Sequence, residues 1–327
     1  MPTAHIAAVE GHVPPFRLTN ALLEEMVDTS DEWIRTRTGI EERRIQNEPG
    51  LATSDLAVPA VERLLASSDV SADDIDLVIC ATVTPDMVFP ATANIISDKA
   101  GIRNAFSFDI NAACSGFIYA LETGRRFIES GQYHNVLVIG ADKMSSIIDY
   151  TDRNTCVLFG DGAGVVLLQP GEDHLGILDA RLHTDGSGVR YLHQKAGGSL
   201  RPPTHATVEA REHVVFQDGR PVFKHAVVGM ADVTEEVMHR NDLTGDDLDW
   251  LVPHQANLRI IDATRRRAGL DEEKVMINIQ RYGNTTAATI PLCLWEWRDR
   301  IRRGDRLILT TFGGGFTWGA MYLRWSL

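Results

Sequence analysis

Three residues could carry chemistry in this chain: Cys114, His254 and Asn284, each where one regular element gives way to another. Cys114 lies in Asn111-Ala-Ala-Cys114-Ser-Gly, a run of small residues between a short alternating segment (Phe106, Phe108, Ile110) and a helical repeat (Phe117, Ala120, Leu121, Gly124, Phe127, Ile128). A strand that turns sharply into a helix can push one side chain into a cleft. A cysteine at a helix N-terminus feels the positive end of the dipole, so its thiolate is expected to be favoured. A lone cysteine more often simply packs. Here the partners weigh against that reading. His254 follows Leu248-Asp-Trp-Leu-Val-Pro253, a strand, and precedes a helix starting near Asn257. Asn284 opens Asn284-Thr-Thr-Ala-Ala-Thr-Ile-Pro, predicted as a helix start after a strand over 275–279. Phe312-Gly-Gly-Gly-Phe-Thr-Trp-Gly319 offers backbone N–H groups that a ligand can approach, suiting half of an oxyanion hole. Cysteine, histidine, asparagine and a glycine turn together suit acyl-thioester chemistry.

The elements that must position these groups are legible in outline. Residues 76–83 and 135–141 read as apolar strands buried on both faces, as in a parallel sheet. Helices are expected over 52–66, from Pro90 to Gly101 and over about 225–240. Residues 156–168 read as two strands about a glycine-rich turn; apolar β-type sequence follows those glycines, which excludes a dinucleotide motif. Asp73-Asp-Ile-Asp-Leu recurs as Asp246-Asp-Leu-Asp-Trp, Ala100-Gly-Ile as Ala268-Gly-Leu, and Phe159-Gly-Asp-Gly as Phe312-Gly-Gly-Gly, in order and about half the chain apart. That series predicts a duplicated βαβ unit. The expected fold class is therefore α/β, two halves at 1–170 and 171–327, with a capping insertion over about 171–225. On the same register Asn284 stands opposite Cys114, so two helix starts should face one cleft, where ligands of such folds gather.

Composition narrows the function classes. The 327 residues are 44% hydrophobic and 24% charged, enough for a substantial core. A formal net charge of −13 disfavours nucleic acid as partner. Four cysteines without a CxxC pair point to a reducing compartment and away from structural zinc. No apolar stretch approaches 18 residues and the first thirteen residues lack a secretory pattern, so a cytoplasmic protein with no membrane partner is expected. Trp33 and Arg37 share a helix face and could offer a flat ring and a guanidinium to a nucleotide; alone, they read as a packed tryptophan on a solvated face.

Taken together, Thr29-Ser-Asp-Glu-Trp33-Ile, Arg37-Thr-Gly-Ile, Ala113-Cys114-Ser-Gly-Phe, Thr151-Asp-Arg153, Phe159-Gly-Asp-Gly-Ala-Gly, Val252-Pro-His254-Gln-Ala-Asn257, Gly283-Asn284-Thr and the last glycine turn resemble the β-ketoacyl-acyl carrier protein synthase III family, the initiating condensing enzymes of type II fatty acid synthesis. The resemblance spans nearly the whole chain and implies a thiolase-like fold with layered α-β-α-β-α architecture. It implies that Cys114 takes an acyl group from coenzyme A. His254 and Asn284 would then hold malonyl-acyl carrier protein while it decarboxylates and condenses. It implies an oxyanion hole from Cys114 and Gly314, coenzyme A contacts from Trp33, Arg37, Arg153 and Asn257, no tightly bound cofactor, and a homodimer in which Phe89 reaches the neighbour's primer pocket. A carrier protein is acidic like this chain, so docking would need a local cationic face, expected at Arg259, Arg265 and Arg266 with Lys224. Alternatives are a relative with another acceptor in secondary metabolism, a silent partner subunit, or a cysteine hydrolase. The retained His254–Asn284 pair disfavours the silent subunit, and a coenzyme A-binding helix the hydrolase.

Overall fold

The computed structural model describes residues 2–172 and 174–327. Leu77–Ala81 carries apolar side chains to both faces, with Leu77, Ile79 and Ala81 in one hydrophobic cluster and Val78 and Cys80 in another. A strand buried on both sides must be central, and it pairs in parallel with Phe106–Ile110 and with Val136–Lys143. Two antiparallel strands complete a sheet in the order Thr3–His12, Asp161–Gly171, Val136–Lys143, Leu77–Ala81, Phe106–Ile110. The second sheet runs Trp250–Pro253, Arg306–Gly313, Thr317–Arg324, Gly176–Thr184, with its first pair parallel and the others antiparallel. Taken backwards from Gly176–Thr184, the second order repeats the first four strands of the first sheet: an early strand, two successive antiparallel partners and a parallel neighbour.

Helices Gly116–Glu129 and Thr289–Trp297 lie between the sheets. Phe117 and Leu121 from one, and Ile290 and Leu294 from the other, join a single core with residues of both sheets. Each such fully buried side chain contributes about 1.5–3 kcal/mol. Helices Thr53–Ser67 and Thr92–Lys99 cover the outer face of the first sheet. Helices Gly219–Arg240 and Leu258–Arg267 cover that of the second. The result is the layered α-β-α-β-α thiolase-like arrangement.

Several elements depart from the sequence expectation. Residues 275–279 form no strand: Val275 makes one isolated parallel bridge to Leu251, in the place that Phe106–Ile110 holds in the first sheet. Backbone pairing stops there because the chain turns into the short helix Ile279–Tyr282. Residues 156–168 do not form two strands; the regular part is one strand, Asp161–Gly171. Its preceding glycine answers to packing, since a β-carbon on Gly160 would lie 2.3 Å from the Tyr282 carbonyl oxygen. Within the expected cap, Gly176–Thr184 is an integral strand of the second sheet. The single turn Gly186–Arg190, the ribbon of Leu192–Gln194 with Val215–Gln217 and the helix His205–Glu209 lie outside both main sheets. The following helix starts at Gly219, six residues earlier than its apolar repeat suggests.

Candidate active site

Cys114 sits in the single turn Ala113–Ser115 that joins the edge strand Phe106–Ile110 to helix Gly116–Glu129. Ala113 adopts φ 47°, the left-handed region, and that bend lifts the cysteine out of line with the strand. The last hairpin clamps the turn from the other half. Thr311 Oγ1 donates to the Cys114 carbonyl at 3.0 Å, Ser115 Oγ to the Thr317 carbonyl at 2.9 Å, and Thr317 Oγ1 to the Ala112 carbonyl at 2.8 Å.

The sulfur does not rest as a thiolate. Cys114 is 7% exposed, and burial together with the nearby Asp142 charge pushes its thiol up to about 12. That rise corresponds to about 4 kcal/mol. A helix dipole returns about 0.3–2 kcal/mol, which offsets part of that cost and favours the thiolate only to that extent. A proton acceptor is required.

His254 brings an unpaired nitrogen to the cavity that Cys114 also lines. It ends the strand Trp250–Pro253 and is 1% exposed. Burial lowers its pKa to about 3, so the ring is neutral. Its Nδ1 lies 2.7 Å from Thr289 Oγ1, whereas Nε2 has no partner among the described residues. A buried polar atom without a partner demands a reason. Here a cavity of about 210 Å³ is lined by Cys114, His254, Asn284, Phe312, Phe223 and Asn257. Asn284 is oriented by its own turn: Oδ1 accepts the Thr286 N–H at 2.9 Å, which leaves its NH₂ for the cavity. Asn284 does not itself open a helix; it precedes the turn Thr286–Ala288, and helix Thr289–Trp297 follows.

A second chamber, about 510 Å³, also reaches Cys114, with Val83, Met144, Ile147, Leu192, Thr286 and Gly314 among its walls. Cys114 therefore lines two chambers, both walled mainly by apolar side chains, and the smaller one also holds His254 and Asn284.

Asp142 was not legible as a site residue. It lies at the end of Val136–Lys143, where its Oδ1 accepts from Val83 N at 2.8 Å, Thr84 N at 3.2 Å and the Thr82 and Thr84 hydroxyls. Its Oδ2 accepts from Ala287 N at 3.0 Å, across the boundary between the sheets. Burial pushes the carboxyl up to about 6 against the pull of these donors. Asp142→Ala should strip the acceptor from three backbone N–H groups and cost about 3–5 kcal/mol. The urea midpoint checks this; an unchanged midpoint would show that Asp142 does not tie the halves.

The outer residues are placed as follows. Trp33 lies on helix Asp31–Thr38, capped by Ser30 and ended by Gly39, with the guanidiniums of Arg153 and Arg37 at 4.7 and 5.9 Å from its ring centre. Asn257 caps helix Leu258–Arg267: its Oδ1 accepts the Arg259 N–H and its Nδ2 donates to the Arg37 carbonyl. Both ends of its amide are thus engaged, and it fastens the Trp33 helix to the mouth of the cavity. The arginine run is less free than its sequence suggests. Asp262 pairs with both Arg265 and Arg266, and Arg267 meets Glu235. Arg265 is also largely buried, at 17% side-chain exposure. Arg259 and Lys224 are exposed and make no ion pair among the described residues; Arg259 lies over the Phe223 ring at 5.1 Å. Phe89 is 83% exposed and contributes to neither chamber of its own chain.

Comparison with known proteins decides the family. The family model for 3-oxoacyl-[acyl-carrier-protein] synthase III matches residues 108–186, and that for its C-terminal part matches residues 238–325. A β-ketoacyl-[acyl-carrier-protein] synthase III of Chlorobium luteolum is 55% identical over 327 residues, covering 99% of both chains. The chain belongs to the 3-oxoacyl-[acyl-carrier-protein] synthase III family. A family member of Bacteroides thetaiotaomicron is 52% identical over 99% of this chain and 96% of its own length. The crystal structure of the synthase III from Thermus thermophilus superposes with a TM-score of 0.91 at 43% identity, over 98% of this chain and 99% of that one. The chain is accordingly a thiolase-fold condensing enzyme, an acyltransferase of fatty acid synthesis. No helix among the described residues is long and apolar enough to cross a membrane, and none of their His, Cys, Asp and Glu side chains form a group of three that could hold a metal.

Proposed function

We propose that the chain starts fatty acid chains by two transfers at one sulfur. Cys114 attacks the carbonyl of an acyl-coenzyme A primer, coenzyme A departs, and the acyl chain rests in the larger chamber. Malonyl-acyl carrier protein then presents its thioester oxygen to Asn284 Nδ2 and His254 Nε2. Carbon dioxide leaves, and the resulting enolate carbon attacks the acyl group and frees the sulfur. The N–H groups of Cys114 and Gly314 would receive the oxyanion formed in each transfer. The supporting observation is His254 Nε2, buried and unpartnered in the cavity it shares with Cys114 and Asn284. Decarboxylation builds negative charge on that oxygen, and fixed donors in a dry cavity stabilise it more than water does. The thioesters themselves supply the driving force, so the scheme needs no resident cofactor. Supplying acetyl-coenzyme A with malonyl-acyl carrier protein should yield acetoacetyl-carrier, free coenzyme A and carbon dioxide in equal amounts. Product formation without carbon dioxide would contradict the scheme.

Coenzyme A would lie along the Trp33 helix, its adenine against Trp33 and Arg153 and its phosphates near Arg37, with Asn257 at the pantetheine arm. The two halves, 1–170 and 171–327, would each give one wall: Cys114 from the first, His254 and Asn284 from the second. A homodimer fits the edge strand Phe106–Ile110, which has no partner on one side among the described residues and carries a cluster of Phe106, Phe108, Phe127 and Tyr133. The exposed Met87, Val88 and Phe89 would then meet the second copy, Phe89 reaching its primer chamber.

For the carrier protein the free cations Arg259 and Lys224 form the docking face, while Arg265 and Arg266 serve mainly Asp262. Exchanging Arg259 and Lys224 together for glutamate should raise the KM for malonyl-acyl carrier protein about tenfold, near 1.4 kcal/mol, and less in high salt. Primer loading from free acetyl-coenzyme A serves as the control; an equal loss there would place the two cations in the coenzyme A site instead.

A further inference from the structure

Asn284 belongs to the second half of the chain, yet the first half holds it. Its backbone N–H donates to the Leu158 carbonyl at 2.9 Å, and its carbonyl accepts the Gly160 N–H at 3.0 Å. Two residues on, Thr286 takes φ 53°, in the left-handed region that β-branched residues avoid. In that bend the Thr286 N–H meets Asn284 Oδ1 at 2.9 Å. The next N–H, that of Ala287, meets Asp142 Oδ2 at 3.0 Å. We propose that Asp142 is a positioning residue for decarboxylation: by gripping the Ala287 N–H it keeps Thr286 in its bend, and so aims the Asn284 NH₂ at the malonyl thioester oxygen. This rests on the reading of Asn284 given above.

The carboxylate is built for that grip. Its Oδ1 accepts from the Val83 and Thr84 N–H groups and from the Thr82 and Thr84 hydroxyls, whereas Oδ2 accepts from Ala287 alone. The Thr84 hydroxyl itself accepts the Lys143 N–H at 2.8 Å, so its proton is directed to Asp142. An ionised carboxylate accepts from every one of these donors, while a carboxyl proton would meet one of them. Oδ1 is thus anchored to the first half, and Oδ2 is left for the turn of the second. The strand that carries Asp142 also meets that turn directly. A β-carbon on Gly140 would lie 2.3 Å from the Ala287 carbonyl oxygen. The turn therefore has no room to move toward the strand, and the Oδ2 bond opposes movement away from it. Without that bond Thr286 is free to relax out of the left-handed region, and Asn284 Oδ1 loses the N–H that orients its amide.

The same carboxylate acts on Cys114 in the opposite sense. The turn Ala113–Ser115 packs against Thr286–Ala288, and burial together with the Asp142 charge keeps the Cys114 thiol protonated at rest. Removing the charge makes the thiol more acidic. One substitution should therefore harm the second half-reaction and spare the first, a pattern that general loosening of the fold does not give.

Asp142→Asn is the variant to make, because it keeps the size and shape of the side chain. Its amide oxygen can keep the donors now at Oδ1, which leaves its NH₂ facing the Ala287 N–H, donor against donor. Carbon dioxide release from malonyl-carrier should fall about a hundredfold, as on losing one oxyanion donor. Coenzyme A release in primer loading should be no slower than in the wild type. In an Asn284→Ala background the same exchange should cost nothing further, because the group it aims is gone. Thr82→Val, which removes one hydroxyl that holds the carboxylate, is the milder variant. It should slow decarboxylation a few-fold with loading unchanged, and it decides the matter should Asp142→Asn not fold. Normal decarboxylation in these variants, equal losses in both half-reactions, or a further loss in the Asn284→Ala background overturns the proposal. If Asn284→Ala itself decarboxylates normally, the reading of Asn284 as donor falls; if it is slow while Asp142→Asn is normal, only the role of Asp142 falls.

Discussion

Cys114→Ser should lose primer transfer by a factor on the order of 10⁴ or more, comparable to removing the nucleophile of other covalent catalysts. The two side chains are nearly the same size, so the loss reports acidity and nucleophilicity. Burial already holds the thiol near 12, and the neutral His254, with a pKa near 3, is a weak base. A cysteine sulfur can still give up its proton as the new bond forms. A hydroxyl is a far weaker acid, and the same base cannot move its proton. Release of coenzyme A in the absence of malonyl-carrier measures this step alone, and an unchanged thermal unfolding midpoint shows that the fold survives. A serine variant retaining more than a few per cent of the rate would mean that another group activates the nucleophile or that Cys114 is not it.

The next largest effect separates the two members on the opposite wall. Asn284→Ala should leave primer loading near normal and slow decarboxylation of malonyl-carrier by about a hundred- to a thousandfold, the usual cost of one donor to a developing oxyanion. His254→Ala should slow both half-reactions, because Nε2 serves as acceptor in the first and donor in the second. The double variant should be little worse than His254→Ala, since both act on one oxygen. Carbon dioxide release and coenzyme A release, followed separately, give the comparison. Equal losses of both activities in Asn284→Ala would show that its role is to hold the turn, through the Thr286 N–H it binds, with no direct contact to substrate.

The centre of the site was legible because its chemistry is local in sequence. A strand, a run of small residues and a helix are enough to mark Cys114, and a strand-final Pro-His marks His254. The duplication was legible for the same reason, although its weakest strand survives only as the Val275 bridge. What escaped depends on register between the halves. Asp142 resembles any polar residue at a strand end until the Ala287 N–H arrives from the turn Thr286–Ala288 of the other half. Thr289 looks like part of a small-residue helix start until the His254 ring lies against it. The arginine run misled for a local reason: Asp262 lies three and four residues before Arg265 and Arg266, the spacing at which helical side chains pair, and it engages both.

The most direct test is the mass of the protein through one cycle. After acetyl-coenzyme A alone, the intact chain should gain one acetyl group, and fragment mapping should place it on Cys114. Adding malonyl-acyl carrier protein should remove that group and leave the carrier with an acetoacetyl mass. An adduct on Cys80, Cys156 or Cys293, or an acetyl group on Cys114 that malonyl-carrier does not discharge, would contradict the assignment of Cys114 as the sulfur on which chains begin.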